Sequence, residues 1–291
     1  MKLRLLGKVG ARESSGSFWG RQVIRLILIL WSLIVLFPMI WVFYTSFKSN
    51  QEFFADPWAL PQEWKFDNYI YAWTESNFSS YFLNSLLVTV LAAVLTVLMS
   101  TALGYILAKY RFKGVRMLEK SWMVLMMVPQ VLLLIPLFFQ CMSWNMTDNL
   151  YTLALLYALR EVPFSVFIVT GFIRGIHNSL LEAAVMDGAN EFHIFFKLIM
   201  PLSKSSILIM VLLSVMGSWN EYVMALTFLS SPEKYTVPIG IEYLVSGSTY
   251  NVNYGGMFAG LVLAMAPILV IYAIFQKQFA QGLSVDAGIK G

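Results

Sequence analysis

The chain has 291 residues, 58% hydrophobic and only 12% charged, with a formal net charge of +4 and a mean hydropathy of +0.69. Soluble domains carry roughly 25% charged residues, so this composition excludes a soluble globular protein and indicates a polytopic membrane protein. The basic residues gather at the ends of apolar runs, which makes them topology signals rather than a nucleic-acid surface. The lone cysteine, Cys141, excludes an intrachain disulfide, and it forms no zinc-spaced cluster with His177 or His193.

A membrane-spanning helix needs about 20 apolar residues, and six stretches qualify: 23–47, 84–108, 121–143, 150–173, 204–229 and 257–279. The first begins near Val23 and is longer than the roughly 7–15 residues of a signal-peptide core, so it reads as a retained span. Lys and Arg set the orientation. One side collects Lys2, Arg4, Lys8, Arg12, Arg21 and Arg25, the run Lys109, Arg111, Lys113, Arg116 and Lys120, then Arg174, Lys197, Lys204, Lys277 and Lys290. The other has only Lys48, Lys65 and Lys234, and sixteen against three predicts both termini in the cytoplasm. The expected fold is all-α: a basic tail over 1–22, a six-helix domain over 23–279 and a tail over 280–291, with a cytoplasmic helical loop at 177–202 between spans 4 and 5.

The outer segment 48–83 is acidic and rich in Trp58, Trp64, Tyr69, Tyr71 and Trp73. These are either interfacial aromatics at the headgroups or a docking surface for an outer partner. Pro38, Pro129, Pro136 and Pro163 interrupt spans. Each removes a backbone hydrogen bond that lipid cannot replace, so spans 3 and 4 are expected inside the bundle. Arg160 and Glu161 lie about ten residues into span 4, roughly 15 Å deep at helical rise. At that depth they face a solvated vestibule, the substrate path or a partner subunit; being consecutive, they need not pair with each other. Asn220 and Glu221 in span 5 offer the same choice between packing or gating and contact with substrate hydroxyls. The loop 230–256, with Pro232, Pro238, Gly247 and Tyr250 to Tyr254, faces outward.

The central loop carries the most specific pattern. Leu180, Leu181, Ala184 and Val185 define an apolar helical face. Gly188 after Asp187 marks a turn through positive φ. Asn190 caps a second helix with the face Ile194, Phe195, Leu198 and Ile199, and Pro201 opens the helix of span 5. On spacing alone this is either an interfacial amphipathic hairpin or an ordered handle for a cytosolic partner. No GxGxxG, P-loop or HExxH is present, and no nucleotide or metal site is expected in this chain.

The segment Glu182, Ala183, Ala184, Asp187, Gly188, Ala189, Phe195, Pro201 and Leu202 resembles the EAA loop of binding-protein-dependent ABC importer permeases. Over about 20–291 the chain is similar to the shorter, second permease of carbohydrate importers of the maltose type. The resemblance rests on Pro38 with Trp41, Ser46-Phe47-Lys48, Asn84-Ser85, Gly104-Tyr105 before Arg111-Phe112-Lys113-Gly114, Pro163-Phe164, Trp219-Asn220-Glu221, Gln276, Phe279, Gly282-Leu283 and Lys290-Gly291. The chain departs from the family at Ile176-His177, where Ile-Pro is usual, and in its ending Asp286 to Gly291.

The resemblance implies a coupling helix, Glu182 to Asn190, docked on an ATP-hydrolysing subunit, with Glu182 and Asp187 as polar contacts and Gly188 as the turn. It implies a second permease subunit, a dimeric ATPase that holds the ATP and Mg, an extracytoplasmic solute-binding protein and a sugar substrate. The chain itself has no catalytic site in this reading. Arg160, Glu161, Asn220 and Glu221 are its candidate path residues. The alternative is an ion-coupled secondary transporter acting alone, which leaves the central loop without a role.

Overall fold

The computed structural model describes residues 15–246 and 252–284, with side chains described over 20–244 and 252–276. The tail residues before Ser15, Gly247 and Tyr250 of the loop expected to face outward, and the ending Asp286 to Gly291 lie outside the described residues. The helices are α1 (Ser15–Thr45), α2 (Asn50–Ala55), α3 (Asp67–Ile70), α4 (Phe78–Lys109), α5 (Val115–Met127), α6 (Gln130–Ser143) and α7 (Leu150–Arg174). They continue as α8 (Asn178–Met186), α9 (Glu191–Ile194), α10 (Met200–Leu202), α11 (Lys204–Trp219), α12 (Val223–Phe228), α13 (Val237–Ser246) and α14 (Tyr254–Ser284). A π-helical turn, Phe195–Ile199, makes α9 and α10 continuous.

The bundle is built on the pair α4 and α7, and α11 packs against both. Along α4, Ser85, Thr89, Ala92, Ala93, Thr96, Ser100, Thr101 and Gly104 are buried at helical spacing. α7 answers with Ala154, Ala158, Val162, Ser165, Val166 and Val169. In lipid, apolar surface gains little by leaving its surroundings, so helices associate through close van der Waals packing, and small residues let the backbones approach. The approach is tightest at Gly104, where an added Cβ would lie 2.5 Å from Val169 Cγ1 and 3.3 Å from the Thr170 backbone nitrogen. Trp219, at the end of α11, donates its indole N–H to the Ala264 carbonyl at 3.0 Å and fastens α14 to this core. α1 runs beside α14, and none of its side chains from Gly20 to Tyr44 is buried.

Four helices are long and apolar enough to cross a membrane: Gly20–Thr45, Phe78–Lys109, Leu150–Arg174 and Tyr254–Gln276. Two bent pairs bring the number to six among the described residues. The first corrects the expected span 3, which is not one helix: α5 and α6 meet at 100°. Pro129 supplies no N–H and forces the residue before it out of the helical region, and Val128 is extended, at φ −75° and ψ 120°. The bend also overturns the expectation that span 3 lies inside the bundle. α5 buries no residue and α6 only Cys141, whereas α7, with Pro163, is buried as expected.

The second correction concerns span 5. The chain bends by 78° between Glu191–Leu202 and Lys204–Trp219, so Pro201 sits in the short turn before the spanning helix rather than opening it. The helix expected over 204–229 stops at Trp219 and restarts as α12. The Glu221 carboxylate ends the first run by capping the second, accepting the backbone N–H of Met224 at 3.0 Å and Ala225 at 3.1 Å.

At the end of the bundle away from α8, residues 46–77 form a folded cap. The buried Lys48 amine donates to the carbonyls of Asp56 (2.9 Å) and Pro57 (3.2 Å) and lies 5.6 Å from the Tyr44 ring centre. Asn68 Nδ2 donates to the carbonyls of Ser46 and Lys48. Phe47 packs on Trp64, Phe66 and Tyr69 at 5.0–5.2 Å, so part of the predicted aromatic belt is occupied by its own neighbours. Asp148 closes this end. Its carboxylate accepts from Lys234 Nζ (2.7 Å), the Ser231 hydroxyl (2.6 Å) and the N–H groups of Ser230 and Ser231 (3.0 Å each). Burial pushes this carboxyl upward, but the four donors outweigh it and hold it well below the ordinary carboxylate range.

The close approach of α4 and α7 generates a prediction. Gly104→Val should destabilise the purified protein by about 1–3 kcal/mol through overpacking, and trimming the facing methyls with Gly104→Ala/Val169→Ala should recover part of the loss, both read from thermal unfolding in detergent.

Candidate functional site

The segment α8–α10 forms a hairpin against the joined ends of α4, α7 and α11. Its start is shaped by local chemistry. α8 ends in a Schellman motif: Gly188 N–H reaches the Val185 carbonyl and Ala189 N–H the Ala184 carbonyl, each at 3.0 Å. Gly188 sits at φ +80°, a region where a Cβ is strained. Asn190 then caps α9, its Oδ1 accepting the His193 N–H at 2.9 Å. Sequence anticipates both features.

The hairpin's inner face completes a cluster of Tyr105, Val169, Ile173, Ile194, Ile199 and Met210, joined by Leu181, Ala184, Ala189, Phe195 and Leu198. The apolar face read for the first helix is thus half right: Leu181 and Ala184 turn inward, while Leu180 and Val185 are exposed. The outer face is open. Glu182, Ala183, Asp187, Gly188 and Asn190 are exposed, as are Met186 (87%) and Phe192 (77%). The carboxylates of Glu182 and Asp187 make no hydrogen bond or ion pair among the described residues. Beside the turn lies an open recess of about 400 Å³ lined by Ala184, Asp187, Asn190, His193, Lys197 and Leu198, among others.

Arg160, Glu161 and Glu221 come together where α7 meets the break between α11 and α12. Arg160 Nη2 lies 3.0 Å from Glu161 Oε1, and Nη1 lies 3.9 Å from Glu221 Oε1. Although adjacent in sequence, Arg160 and Glu161 do pair. Tyr157, which sequence reasoning missed, donates its hydroxyl to Glu221 Oε2 at 3.0 Å, and its ring lies 5.3 Å from the guanidinium carbon. One cation faces two carboxylates, and these side chains are 13–20% exposed. Asn220 stands apart: it is exposed, and its amide donates to the Met216 carbonyl at 2.8 Å. Sequence reasoning also missed Glu191, which receives the hydroxyls of Tyr105 and Tyr110 from 86 and 81 residues away; no local spacing signals such a pairing.

A helical bundle with bent spans and an exposed hairpin packed across the ends of its core helices is the architecture of a multi-pass membrane protein. The chain belongs to the family described as binding-protein-dependent transport system inner membrane component, matching it over residues 100–285. It is 33% identical over 258 residues to the diacetylchitobiose uptake system permease protein NgcG of Streptomyces coelicolor, covering 89% of this chain and 85% of that one. It is 34% identical over 275 residues to the arabinooligosaccharides transport system permease protein AraQ of Bacillus subtilis, covering 93% and 96%. A chain of a bacterial ABC transporter that imports the acidic polysaccharide alginate shares the fold, with a TM-score of 0.82 at 23% identity over 91% of this chain and 98% of that one. The resemblance to carbohydrate ABC importer permeases therefore holds, and the family is one of transport components rather than catalysts.

The charge cluster yields a second prediction. Arg160→Met leaves two carboxylates facing each other, a loss of about 3–5 kcal/mol where such groups are fully buried and less at this exposure. Arg160→Met/Glu161→Gln restores the original balance of one excess negative charge and should recover folded yield, measured by size-exclusion profile and melting temperature.

Proposed function

We propose that this chain lines, with a second permease subunit, the membrane path for an oligosaccharide. In this reading a dimeric cytosolic ATPase, which binds the ATP and Mg, drives the switch between inward- and outward-facing states, and an extracytoplasmic binding protein delivers the sugar. Residues 1–22, 280–291 and the hairpin lie in the cytoplasm, an orientation supported by the sixteen-to-three distribution of Lys and Arg. The observation that carries the reading is the hairpin. Its inner face is sealed into the ends of three core helices, while its outer face presents Glu182, Ala183, Met186 and Asp187 with no partner among the described residues.

Glu182 to Asn190 is the element the ATPase grips. Glu182 and Asp187 supply polar contacts, and the Gly188 turn sets the angle of α8. A ligand shifts a conformational equilibrium only through differential affinity for its states, and the ATPase supplies that difference by gripping α8 in one geometry. Arg160, Glu161 and Glu221 hold the break in span 5 beside the path, and the exposed Asn220 faces it. The names of the relatives support the substrate class, since they specify diacetylchitobiose and arabino-oligosaccharides. An ion-coupled transporter acting alone would have no use for the hairpin's outer face.

Purification of the tagged chain from its native membrane, with mass spectrometry of what accompanies it, tests the assembly. A second permease and an ATPase are expected; the chain alone, active in vesicles without ATP, would refute the reading. Gly188→Val places a β-branched residue at positive φ, costing about 1–2 kcal/mol. It should leave membrane insertion intact and abolish ATP-driven uptake; unchanged uptake would remove the turn from the coupling mechanism.

A further inference from the structure

The hairpin has a second attachment besides its apolar face, and it comes from the end of α4 and its cap residue, Tyr110. Lys109 donates its amine to the Ile176 carbonyl and, at 3.0 Å, to Asn178 Oδ1, at the start of α8. Tyr105 donates its hydroxyl to Glu191 Oε2 at 3.2 Å, and Tyr110 donates to the same oxygen, at the start of α9. The two rings pack edge to face at 5.4 Å, and Tyr105 also lies 6.2 Å from Phe195. Both helices of the hairpin are therefore held at their first residues by the end of one span. Tyr110, like any tyrosine, is protonated and a donor at neutral pH, and burial and the bond to Glu191 raise its hydroxyl further. Hydrogen bonds to a carboxylate are roughly twice as strong as neutral ones, and two converge on this one.

The consequence is mechanical. The hairpin follows α7 in the chain and leads into α11, so a push on it would reach those helices through the backbone alone. α4 is more than 60 residues away in sequence; it feels the push indirectly through its packing on α7 and α11, and the clasp and the shared apolar cluster are its direct link to the hairpin. α4 is also the helix that lies along α7 through the small-residue seam.

We propose that Glu191, gripped by Tyr105 and Tyr110, together with Lys109 on Ile176 and Asn178, is the positioning device that makes the hairpin and α4 move as one rigid unit during coupling. The proposal rests on the reading of the hairpin as the coupling element. Glu191 is a positioning residue: it holds the element that the ATPase grips and touches no substrate.

Spin labels at Met186 and Leu83, both exposed, on a Cys141→Ser background in the assembled transporter, test the clasp by the distance distribution between them with and without ATP. The unmodified clasp should give one narrow distribution that does not change with ATP. Glu191→Ala should broaden it and make it ATP-dependent, with a loss of ATP-driven transport. Glu191→Gln keeps an acceptor oxygen and should stay near the parent. Tyr110→Phe, which removes one hydroxyl without disturbing packing, should broaden the distribution less than Glu191→Ala.

A parent distribution that shifts with ATP, or a Glu191→Ala distribution as narrow as the parent's, overturns the clasp. A separate arm, cross-linking of Met186→Cys to the ATPase surface, tests the coupling reading. Absence of the cross-link would sink that reading while leaving the distance result intact, so the two failures are distinguishable.

Discussion

Everything in this structure depends on how closely α4 and α7 approach. Within a bilayer the hydrophobic effect does not drive one apolar helix onto another, so the association must come from contact density. The seam of Ser, Thr, Ala and Gly on α4 provides it, and at Gly104 there is no room for even a methyl group. α11 packs onto the same pair, and α14 is fastened to α11 through Trp219 and Ala264. The remaining helices pack around this centre, with α1 peripheral from Gly20 to Tyr44.

That arrangement determines where force can travel. At one end of the seam the hairpin bridges α4, α7 and α11. Partway along α7, Arg160, Glu161, Glu221 and Tyr157 bind it to the break in span 5. The two sites share the same helices, which gives the proposed ATP-driven motion a contiguous physical route. The Asp148 clasp and the Lys48 cap tie together the end of the bundle away from the hairpin.

The spans and the hairpin were legible in the sequence because their causes are local. Lipid requires each span to satisfy its own backbone hydrogen bonds, so a run of some 20 apolar residues declares itself. Gly188 and Asn190 announce their turn and cap because positive φ and orphan N–H groups restrict the residue types that fit. Pro129 marks a break for the same reason, but nothing near it specifies an angle of 100° or that α5 and α6 would lie outside the core. The break in span 5 was hidden because Glu221 looks like a polar residue within a span until its carboxylate is found on the N–H groups of α12.

By itself the sequence determined the all-helical membrane class, the approximate span positions, the family and the hairpin's turn chemistry, all of which follow from periodicity, composition and short motifs. Only the tertiary structure decided the long-range partnerships: Arg160 with Glu221, Glu191 with Tyr105 and Tyr110, Lys109 with the start of α8. The physical reason is separation. A hydrogen bond or ion pair between residues 60 to 86 positions apart depends on which helices pack and in what rotation. In a membrane that is set by the shape of small-residue seams, which hydropathy does not encode.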